Sequence, residues 1–262
     1  MEQLNNQNQR DTMNSSPKLV LYNFSHSSCS WRVRFALNLK GIIFYIYIDR
    51  LLLIISEKWN CSGLDYEYKA VNLAKGEQFS KEFEQLNPLR CVPVLVDGDV
   101  YLEEKYPQRA LLPDDPRRKA LNLQSNSLEL VNGFNDPLLL TSINQKVASI
   151  VCSSIQPLHM LGLVKRIEEK VGPEEGLLWA QSSIEKGFFA LEQLVKDFAT
   201  RFATGEALYM ADVFLAPQIA TVVMWFNIDM SNFPILSRVY ESYKTVPEFR
   251  ASSPEAQPDA GS

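Results

Sequence analysis

The sequence predicts a two-part chain, an α/β domain followed by an all-helical domain. Three observations carry this reading. Over residues 18–107, short β-like runs alternate with helical stretches, the pattern of a βαβ unit. From residue 108 onward, apolar residues recur at three- and four-residue steps, the helical period. Pro107, Pro113 and Pro116 punctuate the join, and 113–116 reads as a linker with helix-start character.

Each element follows in order. Residues 18–22, Lys-Leu-Val-Leu-Tyr, read as a strand, and 23–28 as a polar turn. A helix over 29–40 places Val33, Ala36 and Leu37 at helical spacing, with Gly41 as its stop. Residues 65–71 alternate like a strand, 80–86 form a short helix, and Asn87-Pro88 breaks it. A last strand covers 92–96, with Pro93 near its start. Two features depart from this plan. Residues 42–63 are too long for a helix-to-strand connection and read as an insertion with a β-branched, aromatic start. Asp97-Gly98-Asp99 signals a hairpin, yet 101–107 reads as the tail of a helix, so a strand and a first helical turn are missing after residue 100.

In the second half, 147–171, 173–199, 211–226 and 235–243 read as helices. Leu177, Gln181, Ile184, Phe188, Leu191, Val195 and Phe198 form a stripe that is most simply core. Residues 125–146 carry Asn, Gly and Pro and read as a second insertion, a long loop. The arm 1–17 is polar, lacks the apolar core of a secretory signal, and is expected to be disordered. A disordered tail is expected over 251–262.

Composition narrows the function. The formal net charge of -5 argues against nucleic acid as a partner, because phosphate binding needs a basic face. No apolar window is long enough to predict a membrane span. Cys29, Cys61, Cys91 and Cys152 form no CxxC pair, and His26 and His159 are the only histidines, a set that argues against a metal site. Scattered thiols suit a reducing, cytoplasmic setting.

Two motifs point to chemistry. Ser27-Ser28-Cys29 lies at the start of the first helix, where unpaired N–H groups carry partial positive charge and favour an anion such as a thiolate. That turn can lower the pKa of a thiol, either Cys29 or one on a ligand; equally, Ser27 or Ser28 simply caps the helix. Val92-Pro93 opens a strand, where a cis bond would leave Val92 N–H and C=O to pair with an extended peptide ligand; the plainer alternative is an ordinary strand-edge proline.

Together with Ser30-Trp31-Arg32-Val33-Arg34, these motifs carry a resemblance. The run Ser27 to Arg34 is similar to the signature of zeta-class glutathione transferases, the maleylacetoacetate isomerases. The likeness continues through Lys75-Gly76-Glu77-Gln78-Phe79, Asn87-Pro88, Val92-Pro93-Val94-Leu95, Leu111-Leu112-Pro113, Ile155-Gln156-Pro157, Met210-Ala211-Asp212 and Ala216-Pro217-Gln218. The resemblance implies an α/β thioredoxin-like N-terminal domain plus an all-α C-terminal domain, the glutathione transferase fold, assembled as a homodimer. It implies glutathione as a cofactor returned unchanged and a small electrophilic or acidic substrate. The reaction implied is cis–trans isomerisation of maleylacetoacetate to fumarylacetoacetate in tyrosine and phenylalanine catabolism, the thiol of glutathione adding and then leaving.

By position, Ser27 matches the serine that bonds the glutathione sulfur, and Ser28 and Cys29 complete that turn. Ser30, Trp31, Arg32, Gln78, Val92, Pro93 and Gln156 are expected cofactor-binding residues. Asp212 matches an acid that bonds a backbone N–H of the preceding turn, a folding role. The pattern also breaks. The polar pair that grips the γ-glutamyl end of glutathione in the family falls in the gap after Val100. Trp225 stands where an arginine meets a substrate carboxylate, His26 where an arginine is common, His159 where a glutamine is common, and Tyr209 where Ser or Thr caps a helix. His159 is read as a packing residue. Two insertions and one gap with abrupt edges are what altered exon joining would leave. Two alternatives therefore accompany the isomerase: a catalytically impaired splice-type variant that keeps the fold but binds glutathione poorly, and a glutaredoxin-like thiol enzyme using Cys29.

Overall fold

The computed structural model describes residues 19–39, 45–48, 51–54, 66–97 and 137–261. The expected arm 1–17, the gap after residue 100 and the linker 113–116 lie outside the described residues.

Strand β1 (Leu19–Asn23) leads into helix α1 (Ser28–Asn38). Strands β2 (Tyr45–Ile48) and β3 (Leu51–Ile54) fall in the expected insertion and pair with each other as a separate antiparallel ribbon. Strand β4 (Tyr66–Ala70), helix α2 (Lys81–Leu86) and strand β5 (Val94–Asp97) complete the expected βαβ-plus-strand unit. The main sheet has the order β4-β1-β5. β1 runs parallel to β4, from Leu19↔Tyr66 to Asn23↔Ala70, and antiparallel to β5, with Tyr22 opposite Val94. The Val92-Pro93 bond is cis, and both residues precede the strand that the sequence reading started at Val92.

The helical half comprises α3 (Pro137–Ser149), α4 (Leu161–Lys170), α5 (Glu175–Val195), α6 (Met210–Trp225), α7 (Pro234–Lys244) and the short α8 (Pro247–Ala251). Three expectations are corrected. Residues 137–146 are helix, not loop: Pro137 opens α3, a position where its missing N–H costs nothing. The helix expected over 147–171 is interrupted, because Ile150–Ile155 forms a π turn, Gln156–His159 a 3-10 turn, and the chain bends at Met160. The tail is ordered through Gly261, with Asp259 buried.

The α5 stripe holds from Ile184 to Val195 in the core, but Leu177 is 42% exposed. Its turn packs on α4 so closely that a Cβ on Gly176 would lie 2.6 Å from the Val164 carbonyl oxygen. Gly176 and Ala180 therefore form the inner face there, and Leu177 turns outward. Gly187 allows a similar approach to Ile155 in the π turn.

One apolar core runs through both halves. It joins Leu21, Trp31, Phe35 and Leu37 to Val147, Ile155, Phe188, Phe214 and Tyr243. α6 is buried on every side along Ala211–Val222, so it is the central helix of the second half. α1 lies between the sheet and α6, and all of Ser28–Leu37 is buried. Among the described residues, no single helix is long and apolar enough to cross a membrane.

Candidate active site

Ser27 caps α1. Its Oγ accepts from the Ser30 N–H at 3.2 Å, so the capping alternative holds. Capping does not exhaust the hydroxyl, because one lone pair takes Ser30 N–H while the O–H proton remains a donor. Ser27 is partly exposed, whereas Ser28 and Cys29 are buried. Of the three expected catalytic residues, Ser27 thus offers a polar proton at the edge of the helix N-terminus.

The sheet register gathers the other expected residues at the same end. β1 ends at Asn23 opposite Ala70, while β5 begins opposite Tyr22, so the turn after β1, the segment after β4 and the Val92-Pro93 step adjoin one another. Phe24, Val71, Phe83, Val92 and Val94 share one buried cluster that fixes this junction. Gln78 lies in the 3-10 turn Glu77–Phe79 after β4. Its Nε2 donates to Leu73 O at 3.5 Å, while its Oε1 is buried with no partner among the described residues. A buried acceptor left unpaired is costly unless something supplies a donor. Val92 N–H lies outside the β5 ladder, whose pairing with β1 begins at Val94.

Gln156 belongs to the helical half. The preceding π turn packs on α1, where Arg32 Nη1 donates to Cys152 Sγ at 3.5 Å. Gln156 is partly exposed in the next turn. Wider π turns inside helices recur at functional sites.

Ser30, Trp31 and Arg32 do not face this junction. Ser30 Oγ accepts from Phe24 N–H at 3.3 Å, beneath the turn. Trp31 stacks on Phe249 with centroids 5.0 Å apart and donates its Nε1–H to Ser252 Oγ at 2.9 Å. Arg32 is buried, donates from Nη2 to Gln218 Oε1 at 2.9 Å, and lies over the Phe214 ring. In these contacts all three bond to protein groups around the turn and the helical half. The physical reason is the burial of α1 along Ser28–Leu37.

Arg34 does similar work. Its Nη1 donates to Asn23 Oδ1 at 2.9 Å, its Nη2 to Ser25 O at 2.8 Å and its Nε to Ser252 O at 2.9 Å. Burial pulls this guanidinium down to about 10, against Tyr68, Tyr66 and Asp259, which hold it up. Neither this role nor that of Asp259 was predicted from the sequence.

The mouth of the site is aromatic. The His26 ring sits 5.4 Å from Phe24 and 5.8 Å, edge to face, from Trp225. Trp225 closes α6 and is 56% exposed. A cleft of about 560 Å³ lies elsewhere, lined by Gln145, Ser149 and Gln193 among others, and contains none of these residues.

His159 is a satisfied packing residue, as expected. Its Nε2 pairs with Gln218 Nε2 at 2.9 Å, and its ring meets Phe226 edge-on at 5.0 Å. Burial, then the nearby Arg32 charge, pulls His159 down to about 4. The folded state therefore favours the neutral ring. Its contribution to stability is present above the unfolded value of about 6.5 and is lost as pH falls toward 4. Replacing His159→Gln removes this sensitivity. Relative to the variant, the unmodified chain is expected to lose about 3 kcal/mol between pH 7 and pH 4, read from urea unfolding midpoints across pH. Parallel curves for the two chains would refute that.

A three-stranded sheet built from a βαβ unit and an antiparallel strand, a helix N-terminus at its open end and an all-helical half packed against it define the architecture of the glutathione transferases. A family model for the glutathione S-transferase N-terminal domain matches residues 26–105. A zeta-class glutathione S-transferase from Euphorbia esula is 44% identical, over 95% of this chain and 95% of its own. The maleylacetoacetate isomerase of Rattus norvegicus is 36% identical, over 92% of this chain and 95% of its own. A maleylacetoacetate isomerase structure from Anaeromyxobacter dehalogenans, with glutathione bound in its active site, superposes with a TM-score of 0.62 at 32% identity, covering 93% of this chain and 98% of that one. The chain belongs to the zeta class of glutathione transferases, the family that includes the maleylacetoacetate isomerases.

Proposed function

We propose that the chain is a glutathione-dependent isomerase that converts maleylacetoacetate to fumarylacetoacetate, working in the cytoplasm as a homodimer in tyrosine and phenylalanine catabolism. The observation that carries the reading is the Ser27 hydroxyl at the α1 N-terminus, its acceptor side occupied by Ser30 N–H and its proton available. Residues 18–107 form the glutathione-binding domain and residues 108–250 the all-helical domain.

The residues present fit that cofactor. Gln78 Oε1 is a buried acceptor in want of a donor, and Val92 N–H lies outside the sheet ladder, so a peptide backbone laid across the junction meets both. Glutathione, when bound there, supplies the thiol that activates the cis double bond. Ser27 donates its proton to the sulfur, and the N–H groups of the first turn of α1 favour its anionic form. Ser28 and Cys29 pack beneath that turn. Gln156, partly exposed in the helical half, is assigned to the substrate side by the family resemblance.

Trp225 and His26 give the mouth an aromatic wall where the family resemblance implies a cation. The expected consequence is weak selection for a substrate carboxylate. Trp225→Arg should raise kcat/KM for maleylacetoacetate about tenfold, the scale of one hydrogen bond to a charged group. Isomerisation assayed by the formation of fumarylacetoacetate, with and without glutathione, tests both points. Turnover that needs glutathione and leaves it unconsumed supports the reading; turnover indifferent to glutathione overturns it.

A further inference from the structure

We propose that Asp259, in the C-terminal tail, is a positioning residue that clamps the turn carrying Ser27. The turn from Asn23 to Ser27 is buried at Asn23, Phe24 and Ser25, so its polar groups need partners inside the protein. The turn and α1 supply most of them. Ser27 N–H donates to Phe24 O, Phe24 N–H to Ser30 Oγ, and Arg34 donates to Asn23 Oδ1, Phe24 O and Ser25 O. Asn23 O accepts from Val71 N–H, and Ser25 N–H looks further still. It donates to Asp259 Oδ2 at 3.0 Å, and Ser25 Oγ donates to Asp259 O at 3.3 Å.

The other Asp259 oxygen, Oδ1, accepts from the Tyr68 hydroxyl on β4. One carboxylate thus ties the site turn to the neighbouring strand. The tail is braced for this. Phe249 stacks on Trp31, Ser252 accepts from both Trp31 and Arg34, and Gln257 Nε2 donates to Ala251 O at 3.0 Å and Ser253 O at 2.8 Å. A segment remote in sequence therefore fixes the entry angle of α1, and with it the direction of the Ser27 hydroxyl.

The link to glutathione rests on the function proposed above; the clamp itself does not. Two readouts on the full chain separate them. In Asp259→Ala, amide hydrogen exchange over residues 23–29 should speed up about tenfold, while α5, α6 and α7 keep their protection, since one lost hydrogen bond raises the locally open population by about that factor. The KM for glutathione should rise about tenfold with kcat changed less than about threefold. Asp259→Asn should recover much of both, because its side-chain oxygen still accepts from Ser25 N–H. Unchanged exchange over 23–29 in Asp259→Ala overturns the clamp. A chain that binds no glutathione overturns the function instead, and the exchange readout still judges the clamp. If Asp259→Ala does not fold, Tyr68→Phe releases one side of the carboxylate. Turn exchange about threefold faster then supports the proposal, and no change refutes it.

Discussion

Ser27→Ala is expected to lower kcat/KM with glutathione about 100-fold. A hydrogen bond to an anion is worth roughly 1.5–3 kcal/mol, or about one to two powers of ten in rate. In the proposed function the hydroxyl donates to the anionic sulfur, so its loss should also raise the pKa of the bound thiol by about one unit or more, seen as thiolate absorbance in a pH titration. Part of the loss is structural, because Ser27 Oγ is also the cap that accepts Ser30 N–H, and removing a cap costs about 1 kcal/mol of stability. Cys29→Ala separates the roles. Cys29 is buried behind the turn, so its removal should change kcat/KM by less than about threefold. A large loss in Cys29→Ala with little in Ser27→Ala would point instead to the thiol-enzyme alternative.

The largest effect on stability is expected at Asp212. Its carboxylate is fully buried and accepts from Tyr209 N–H at 2.7 Å, Ala203 N–H at 2.9 Å and the Tyr243 hydroxyl at 2.6 Å. Asp212→Ala leaves these donors buried without an acceptor. A loss of about 4 kcal/mol follows, or a Tm lower by about 10 °C. Burial pushes the Asp212 carboxyl up to about 6, against the pull of those hydrogen bonds. A raised folded-state pKa means the favoured protonated form is present at low pH, and the charge becomes a cost as pH rises from about 4 through 6. Asp212→Asn, which never carries that charge, should therefore close part of its stability gap to the unmodified chain over that interval. A gap independent of pH would contradict the burial argument. The carboxylate also explains how Tyr209 can stand at the α6 cap position, since Asp212 reaches back to the Tyr209 N–H itself.

Much of this was legible in the sequence. The strand over 18–22, the alternation at 65–71 and the β-branched run after Val92-Pro93 have patterns that local physics enforces, and they fold as β1, β4 and β5. Ser27-Ser28-Cys29 announced a helix N-terminus because small hydroxyl residues belong there. The resemblance marked Ser30, Trp31 and Arg32 without telling which way they face. Direction came from α1 being covered on both sides, which is a property of the tertiary packing. Pro137 looked like a breaker, yet the same residue starts a helix when apolar residues follow. The tail was the hardest. Ser, Pro, Ala, Asp and Gly over 251–262 have the composition of a disordered end, and its partners, Trp31, Arg34, Ser25 and Tyr68, are all remote in sequence. No local pattern encodes a partner that distant.

The most direct test of the account is calorimetric titration of the full chain with glutathione, since every proposed role converges on the junction of the Ser27 turn, Gln78 and Val92. The account predicts one site per chain with a Kd below about 1 mM, a binding free energy near 4 kcal/mol or better, lost or sharply weakened in Ser27→Ala. Absence of binding in a chain that melts cooperatively would contradict it, and would leave the form that keeps the fold without the cofactor.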